Sequence, residues 1–197
     1  MRRLAPHAAN ALTAARVLLS PLFVWAVLNA GERRLWGVLA VGVFAVVAAS
    51  DVWDGRLARR WGGDSRSGRL FDHFADIGFL LSALIAYVHV GIIAWWVPAV
   101  IAASFAFYVV DSRWRTVAGP LSLVGSHIGH VGGICNYVLV GVLACNNSAG
   151  IGLLSPGFLT ALCWLVPVYS AAAVAARLLA SAERTAAMNP AGLRPGC

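Results

Sequence analysis

Six long apolar stretches dominate the sequence and restrict the folds that it can adopt. They cover residues 9–30, 35–58, 70–92, 94–111, 129–147 and 156–180. A helix needs roughly 20 apolar residues to cross a bilayer, and helices satisfy their own backbone hydrogen bonds there. The stretches therefore predict an all-α integral membrane protein with six transmembrane helices. We expect Pro98 to interrupt the fourth helix in a way that a membrane span tolerates.

The composition agrees with a membrane protein. Apolar residues make up 60% of the chain and charged residues 12%, about half of the charge that a soluble domain carries. The net charge of +7 could suit nucleic acid, but the arginines lie between apolar stretches, where they meet lipid headgroups. We therefore exclude a nucleic-acid partner. The cysteines show no metal-ligand spacing and are expected to be packed thiols.

The arginines also predict the orientation of the chain. They precede the first stretch, follow the sixth, and fill the loops after the second and fourth. Positively charged loops stay on the cytoplasmic side, so both termini are expected in the cytoplasm. Residues 1–185 would form one membrane-embedded catalytic domain, and residues 186–197 a polar tail. The expected location is the bacterial inner membrane, with the first stretch retained as a span.

Four aspartates flank the second loop at helical spacing. Asp51 and Asp54 are three residues apart near the end of the second stretch, and Asp72 and Asp76 are four apart near the start of the third. Each pair shares one helix face. Because the two helices run antiparallel, the four carboxylates can converge. Such a cluster suits hard cations, and two metal ions suit phosphoryl transfer.

The residues between the aspartates favour a phosphorylated ligand. Gly55 and Ala58 leave space on the face that carries the first aspartate pair, and Gly68 leaves space where the third stretch begins. Arg59 follows Gly55 by four residues. A guanidinium group there can bind phosphate oxygens.

Two other interpretations of the aspartates remain. The four carboxylates could form structural ion pairs with the loop arginines. They could also belong to a cation-binding or cation-transport protein that is not an enzyme. A transport path would favour acidic groups spread through the depth of the bilayer, whereas these cluster at one end.

The aspartate segment resembles the signature of the CDP-alcohol phosphotransferases, D-x2-D-G-x2-A-R-x8-G-x3-D-x3-D. The chain has Asp51-Val-Trp-Asp54-Gly55-Arg-Leu-Ala58-Arg59, then eight residues, then Gly68-Arg-Leu-Phe-Asp72-His-Phe-Ala-Asp76. Every fixed position of the signature is present. Upstream, Asn10-Ala-Leu-Thr13-Ala-Ala-Arg16 is similar to the family's N-x-L-T-x2-R segment. Without the resemblance, Arg16 would be interpreted as a snorkelling residue.

The resemblance implies a role for each matching residue. Asp51 and Asp72 would bridge two Mg²⁺ or Mn²⁺ ions, Asp54 would hold the first ion, and Asp76 would hold the second and act as the general base. The nucleotide of the donor would contact residues on either side of the second loop and on the first helix. These are Asn10, Thr13, Gly55, Ala58, Arg59, Ser65 and Gly68.

The implied reaction belongs to phospholipid biosynthesis. Asp76 would take the proton of an alcohol, whose oxygen attacks the β-phosphorus of CDP-diacylglycerol while CMP leaves. The partners would be CDP-diacylglycerol, an alcohol acceptor and membrane lipid, and the resemblance suggests a homodimer.

The acceptor alcohol is the least determined part of the prediction. Arg113 and Arg115 are candidate contacts for an acceptor phosphate. The lysine-rich segment typical of phosphatidylglycerophosphate synthases is missing, and Ser126–His130 stands in its place. Glycerol 3-phosphate is the leading acceptor. Inositol phosphate, serine and phosphatidylglycerol, the last as in a cardiolipin synthase, remain open.

Overall fold

The described part of the chain forms a bundle of six long helices. The computed structural model describes the backbone of residues 5–61, 66–115, 127–148, 150, 152 and 154–188, and the side chains of residues 13–53, 71–112, 131–148, 150, 152 and 154–179. The described backbone is all-helical, as the sequence predicted. The helices are α1 (Ala5–Asn29), α2 (Arg34–Trp61), α3 (Arg66–His89), α4 (Trp96–Arg115), α5 (His127–Leu143), which continues as a π-helical turn (Ala144–Ser148), and α6 (Pro156–Met188).

The helices are long and apolar enough for a membrane protein. Within the described residues, four of them contain a window that could cross a bilayer, at Arg34–Trp53, Phe71–His89, Val131–Ser148 and Pro156–Leu179. The segments Thr13–Asn29 and Trp96–Ser112 are apolar but shorter. Leu18 and Leu165 have exposed fractions of 74% and 63%, as expected for side chains that meet lipid. The chain is therefore an integral membrane protein.

Two helix ends are set by local chemistry. α3 stops where Gly91 adopts a φ of 76°, and the N–H of Ile92 donates to the carbonyl of Tyr87 at 2.9 Å. This pattern is a Schellman cap, which needs a residue that tolerates the left-handed region. The expectation that Pro98 interrupts the fourth helix was wrong. α4 begins at Trp96, so Pro98 lies in the first turn, where its missing N–H costs no helical hydrogen bond.

The bundle packs as two groups of helices. α1 packs against both α2 and α3, while α6 packs against α4 and α5. The core lies along the second half of α3. It includes Phe23, Phe79 and Tyr87, each at most 1% exposed. The ring centroids of Phe23 and Phe79 are 5.3 Å apart. We call the opposite end, at which α1 begins and α2 finishes, the site end.

Close packing of α2 on α5 depends on Gly141. A Cβ placed there would lie 2.6 Å from Cε1 and 2.8 Å from Cζ of Phe44. We therefore expect Gly141→Val to displace the Phe44 ring and to destabilise the protein by about 1–3 kcal/mol.

The thermal unfolding midpoint in detergent measures this effect. Gly42→Val is the matched control, because a Cβ at Gly42 meets nothing within 4 Å. Equal midpoints for the two variants would contradict the packing assigned to Gly141.

Candidate active site

Three of the four predicted aspartates meet at the site end. Asp51 on α2 and Asp72 and Asp76 on α3 each offer a carboxylate oxygen, and these oxygens lie within 4.8 Å of one another. The antiparallel course of α2 and α3 produces the convergence that the sequence predicted. The side chains become less exposed in the order Asp51, Asp72, Asp76, at 43%, 32% and 19%. The cluster therefore runs from the protein surface into its interior.

Arg16 supplies positive charge to this cluster. Its side chain is 0% exposed, so its interpretation as a snorkelling residue was wrong. Nη1 donates to Oδ1 of Asp72 at 2.9 Å and also to Oδ1 of Asp76, and Nη2 lies 3.9 Å from Oδ1 of Asp51. One guanidinium thus contacts all three carboxylates.

Two neutral side chains orient the same carboxylates. The hydroxyl of Thr13 donates to Oδ1 of Asp72 at 3.2 Å. The hydroxyl of Tyr137, on α5, donates to Oδ1 of Asp76 at 3.0 Å. The sequence predicted Thr13 as a nucleotide contact, and the structure places it beside a predicted metal ligand. Tyr137 was missed, because no local pattern connects residues that are 61 positions apart.

A cavity of about 590 Å³ adjoins the aspartates. Asp51, Asp72 and Asp76 form part of its wall together with other residues of α2 and α3, and residues of α4, α5 and α6 form the rest. Much of that wall is apolar, including Ile77 and Phe105. This volume lies within the range of small-molecule binding sites.

A second ion pair lies on the wall formed by α4 and α6. Nε of Arg177 donates to Oδ2 of Asp111, and the guanidinium carbon lies 4.6 Å from the centroid of the Tyr108 ring. Arg177 and Tyr108 both line the cavity. Arg177 was not among the site residues predicted from the sequence, although a charged residue within an apolar helix is itself a signal of function.

The wall also contains a buried hydrogen-bond acceptor. Asn136 is 8% exposed and lines the cavity. Among the described residues, its Oδ1 has no hydrogen-bond partner. Buried polar atoms are normally satisfied, so a donor group within the cavity would find a ready acceptor there.

His73 lies where α3 meets α4. It lines the cavity, and its ring centroid is 6.1 Å from that of Phe105 and 6.0 Å from that of Tyr108. It therefore connects α3 with α4.

The remaining predicted residues fall where only the backbone is described, or beyond it. Asp54, Gly55, Ala58 and Arg59 are in the last turns of α2, Gly68 in the first turn of α3, and Asn10 in α1, while Arg113 and Arg115 end α4. Their side chains, and all of Ser65, lie outside the described residues. Their roles stay predictions.

The described carboxylates fit a divalent cation. All three side chains offer oxygen, the ligand type that Mg²⁺, Mn²⁺ and Ca²⁺ prefer. Three negative charges outnumber the single positive charge of Arg16, so the cluster retains a net negative charge. A cation there would be held by Asp51, Asp72 and Asp76.

An acidic cluster at one end of a membrane helix bundle, beside a cavity, could hold a cation and a ligand together. Comparison with known families identifies the class. The family model described as CDP-alcohol phosphatidyltransferase matches residues 6–179. The chain belongs to this family, as the aspartate signature indicated.

Named relatives represent two branches of the family. The chain is 36% identical over 105 residues to a cardiolipin synthase (CMP-forming) of Streptomyces coelicolor. It is 35% identical over 94 residues to a Mycobacterium tuberculosis protein named probable phosphatidylglycerophosphate synthase. It is also 34% identical over 128 residues to the CDP-diacylglycerol–glycerol-3-phosphate 3-phosphatidyltransferase of Escherichia coli K12.

These alignments are partial. They cover 51%, 47% and 61% of this chain, and 47%, 45% and 66% of the respective relatives. The chain thus spans about half the length of the first two relatives. The alignments support the family without deciding between its branches.

The hydrogen bond from Tyr137 gives a first test of the site. Tyr137→Phe removes a donor to a carboxylate, and we expect a loss of stability of about 1–3 kcal/mol. Because Asp76 would lose a group that orients it, Mn²⁺ affinity should fall by roughly tenfold. Electron paramagnetic resonance of free Mn²⁺ measures that affinity.

Tyr87→Phe provides the comparison. The Tyr87 hydroxyl lies 3.0 Å from that of Ser148, far from the aspartates. This variant should also lose stability while its Mn²⁺ affinity stays unchanged. If both variants bind Mn²⁺ as wild type does, Tyr137 has no influence on a cation site.

Proposed function

We propose that the protein is a CDP-diacylglycerol-dependent alcohol phosphatidyltransferase of phospholipid biosynthesis. It would transfer the phosphatidyl group of CDP-diacylglycerol to an alcohol and release CMP. The observation that carries this proposal is the convergence of Asp51, Asp72 and Asp76 within 4.8 Å beside a cavity. All three belong to the signature of the family to which the chain belongs.

The proposal includes the finer predictions about the membrane. All six helices would cross the bilayer, with both termini and the site end in the cytoplasm of a bacterium. The two shorter apolar segments, Thr13–Asn29 and Trp96–Ser112, would then be spans as well. Two Mg²⁺ or Mn²⁺ ions and a homodimer are further parts of the proposal, drawn from the family resemblance.

The cations would neutralise the diphosphate of the donor and the charge that develops on departing CMP. Within the chain, Asp76 is the best placed base because it is the most buried of the three carboxylates. Its carboxylate would take the hydroxyl proton of the acceptor, while Tyr137 keeps it oriented by donating to Oδ1. The acceptor oxygen then forms a bond to the β-phosphorus, and the bond from that phosphorus to CMP breaks.

The apolar part of the cavity suits the same reaction. Ile77, Ile101 and Phe105 line it and would limit the access of water to the donor. Exclusion of water strengthens the electrostatic interactions inside the site and reduces hydrolysis of the donor. A cavity open to both lipid and solvent would let a lipid donor meet a polar acceptor.

The second ion pair favours an acceptor that carries phosphate. Arg177, on α6, lines the same cavity as the aspartates, and guanidinium groups bind phosphate oxygens well. Asp111 and the ring of Tyr108 fix its position. The Oδ1 atom of Asn136 could accept a hydrogen bond from an acceptor hydroxyl.

Among the acceptors considered, glycerol 3-phosphate, inositol phosphate and phosphatidylglycerol all combine a phosphate with a hydroxyl, whereas serine does not. Glycerol 3-phosphate remains the leading acceptor. The name of the E. coli relative includes this acceptor.

Replacement of the proposed base tests the reaction. Asp76→Asn keeps the shape of the side chain but cannot accept the hydroxyl proton. We expect CMP release from CDP-diacylglycerol, with Mg²⁺ and glycerol 3-phosphate, to fall by at least about 100-fold. Radiolabelled CMP measures the rate.

Glu32→Gln is the control, because Glu32 is exposed at the other end of the bundle and its loss should leave the rate unchanged. Full activity in Asp76→Asn would remove Asp76 as the base. Failure of wild type to release CMP with any of the four acceptors would refute the proposed reaction.

Arg177 can be tested through the acceptor. In Arg177→Gln we expect the KM for glycerol 3-phosphate to rise by roughly 10–100-fold, because a charged hydrogen bond contributes about 1.5–3 kcal/mol. The KM for CDP-diacylglycerol should change little. The rate with unphosphorylated glycerol, which offers Arg177 no phosphate, should be the same in wild type and variant.

Ser82→Ala serves as the control. The Ser82 hydroxyl donates to the carbonyl of Phe79 within α3, and its removal should alter neither KM. If Arg177→Gln impairs glycerol as much as glycerol 3-phosphate, Arg177 has a structural role and does not recognise the phosphate.

A further inference from the structure

Arg16 and a divalent cation use the same carboxylate oxygens. Nη1 of Arg16 donates to Oδ1 of Asp72 and to Oδ1 of Asp76. These residues, with Asp51, form the cluster that could hold a metal ion. We propose that Arg16 is a positioning residue that competes with the divalent cation for Asp72 and Asp76, keeping the carboxylates together while lowering the affinity of the site for metal. This inference rests on the metal centre of the proposed function.

The electrostatics of the cluster support the competition. Three carboxylates within 4.8 Å repel one another, because like charges at such distances interact strongly where the effective dielectric constant is well below that of water. One guanidinium in contact with all three relieves part of this repulsion. A divalent cation would relieve more of it, but the positive charge of Arg16 beside the same oxygens would repel that cation.

Two contacts hold the backbone of α1 in place, so only the side chain of Arg16 competes with the cation. Thr13, one turn before Arg16, donates to Asp72. Two turns after Arg16, Phe23 is fully buried and packs on Phe79 of α3. Both contacts join α1 to α3. Arg16 therefore competes with the cation through its guanidinium, while α1 stays in place.

Buried ion pairs of this kind stabilise a fold mainly by compensating a charge that is already buried. Removal of Arg16 should therefore have two opposite effects. The protein without bound cation should lose stability, because its carboxylates lose their compensating charge. The cation should bind more tightly, because its competitor has gone. A residue with a purely structural role would not produce the second effect.

Arg16→Gln tests this inference. Purified wild type and variant are titrated with Mn²⁺ in detergent, with free Mn²⁺ followed by electron paramagnetic resonance. We expect the variant to bind Mn²⁺ about tenfold more tightly, because the positive charge that repels the cation has been removed. Its thermal unfolding midpoint should fall in the presence of chelator, and the increase on adding Mn²⁺ should exceed that of wild type.

Arg177→Gln is the matched control. It removes one positive charge from another ion-paired arginine of the same cavity, whose partner is Asp111 and not a cluster aspartate. Its Mn²⁺ affinity should change much less. An equal gain in both variants would show a general effect of charge and overturn the role assigned to Arg16. Unchanged or weaker Mn²⁺ binding in folded Arg16→Gln would overturn it directly.

Two further outcomes are distinguishable. If Arg16→Gln folds only when Mn²⁺ is supplied, the cation has replaced the guanidinium, as the inference requires. If it does not fold even then, Arg16→Lys is used, because its single ammonium cannot contact all three carboxylates, and unchanged affinity in that variant contradicts the inference. Wild type that binds no Mn²⁺ would refute the metal centre of the proposed function, whereas normal binding and CMP release with an unaffected Arg16→Gln would refute only the competition.

Discussion

Mutual repulsion among three carboxylates is the constraint on which the rest of this bundle depends. Asp51, Asp72 and Asp76 lie within 4.8 Å of one another at the site end of a membrane helix bundle, and like charges this close repel one another. A buried guanidinium compensates them, and Arg16 can reach them only if α1 packs tightly on α3. The contacts of α1 with α2 and α3 are therefore part of the site as well as part of the fold.

The bundle combines a tightly packed aromatic core with a cavity that a ligand can enter. The buried aromatic core includes Phe23, Phe79 and Tyr87 and extends from one turn beyond Asp76 toward the other end of the bundle. Toward the site end the helices enclose a cavity. In lipid, the hydrophobic effect does little to bring helices together, so close packing and polar contacts must hold them together. Dense packing at one end permits an open cavity at the other, and the polar contacts of Tyr137 and Arg177 reinforce the cavity walls.

The sequence predicted the parts of the site that are local along the chain. The spacing of the aspartates on two adjacent helices was enough to predict their convergence, which is confirmed for Asp51, Asp72 and Asp76. The apolar stretches likewise predicted six helices. Pro98 was misjudged because its effect depends on where the helix begins, and a boundary shift of two residues moves it from an interruption to a first turn.

Residues that act across the bundle were beyond the reach of the sequence alone. In the sequence, Arg16 lies among apolar neighbours, as a lipid-facing arginine would. Only the packing of α1 on α3 buries it. Tyr137 and Arg177 contact partners that are 61 and 66 residues away. Their pairing depends on which helices are neighbours, and hydrophobic periodicity contains little of that information. This limit explains why the sequence indicated the reaction class while leaving the acceptor open.

The division of the bundle into two groups of helices explains physically why the acceptor stayed open. The aspartates and Arg16 belong to α1, α2 and α3, in which α1 packs on both α2 and α3, whereas Arg177 and Asp111 belong to α6 and α4, which pack on each other. A change on the second pair can alter the cavity wall without moving a cluster carboxylate. A chain built in this way can keep its aspartate chemistry while the residues around its acceptor vary. In the proposed function, the ion pair between Arg177 and Asp111 is therefore the feature of the described cavity that bears most directly on the acceptor.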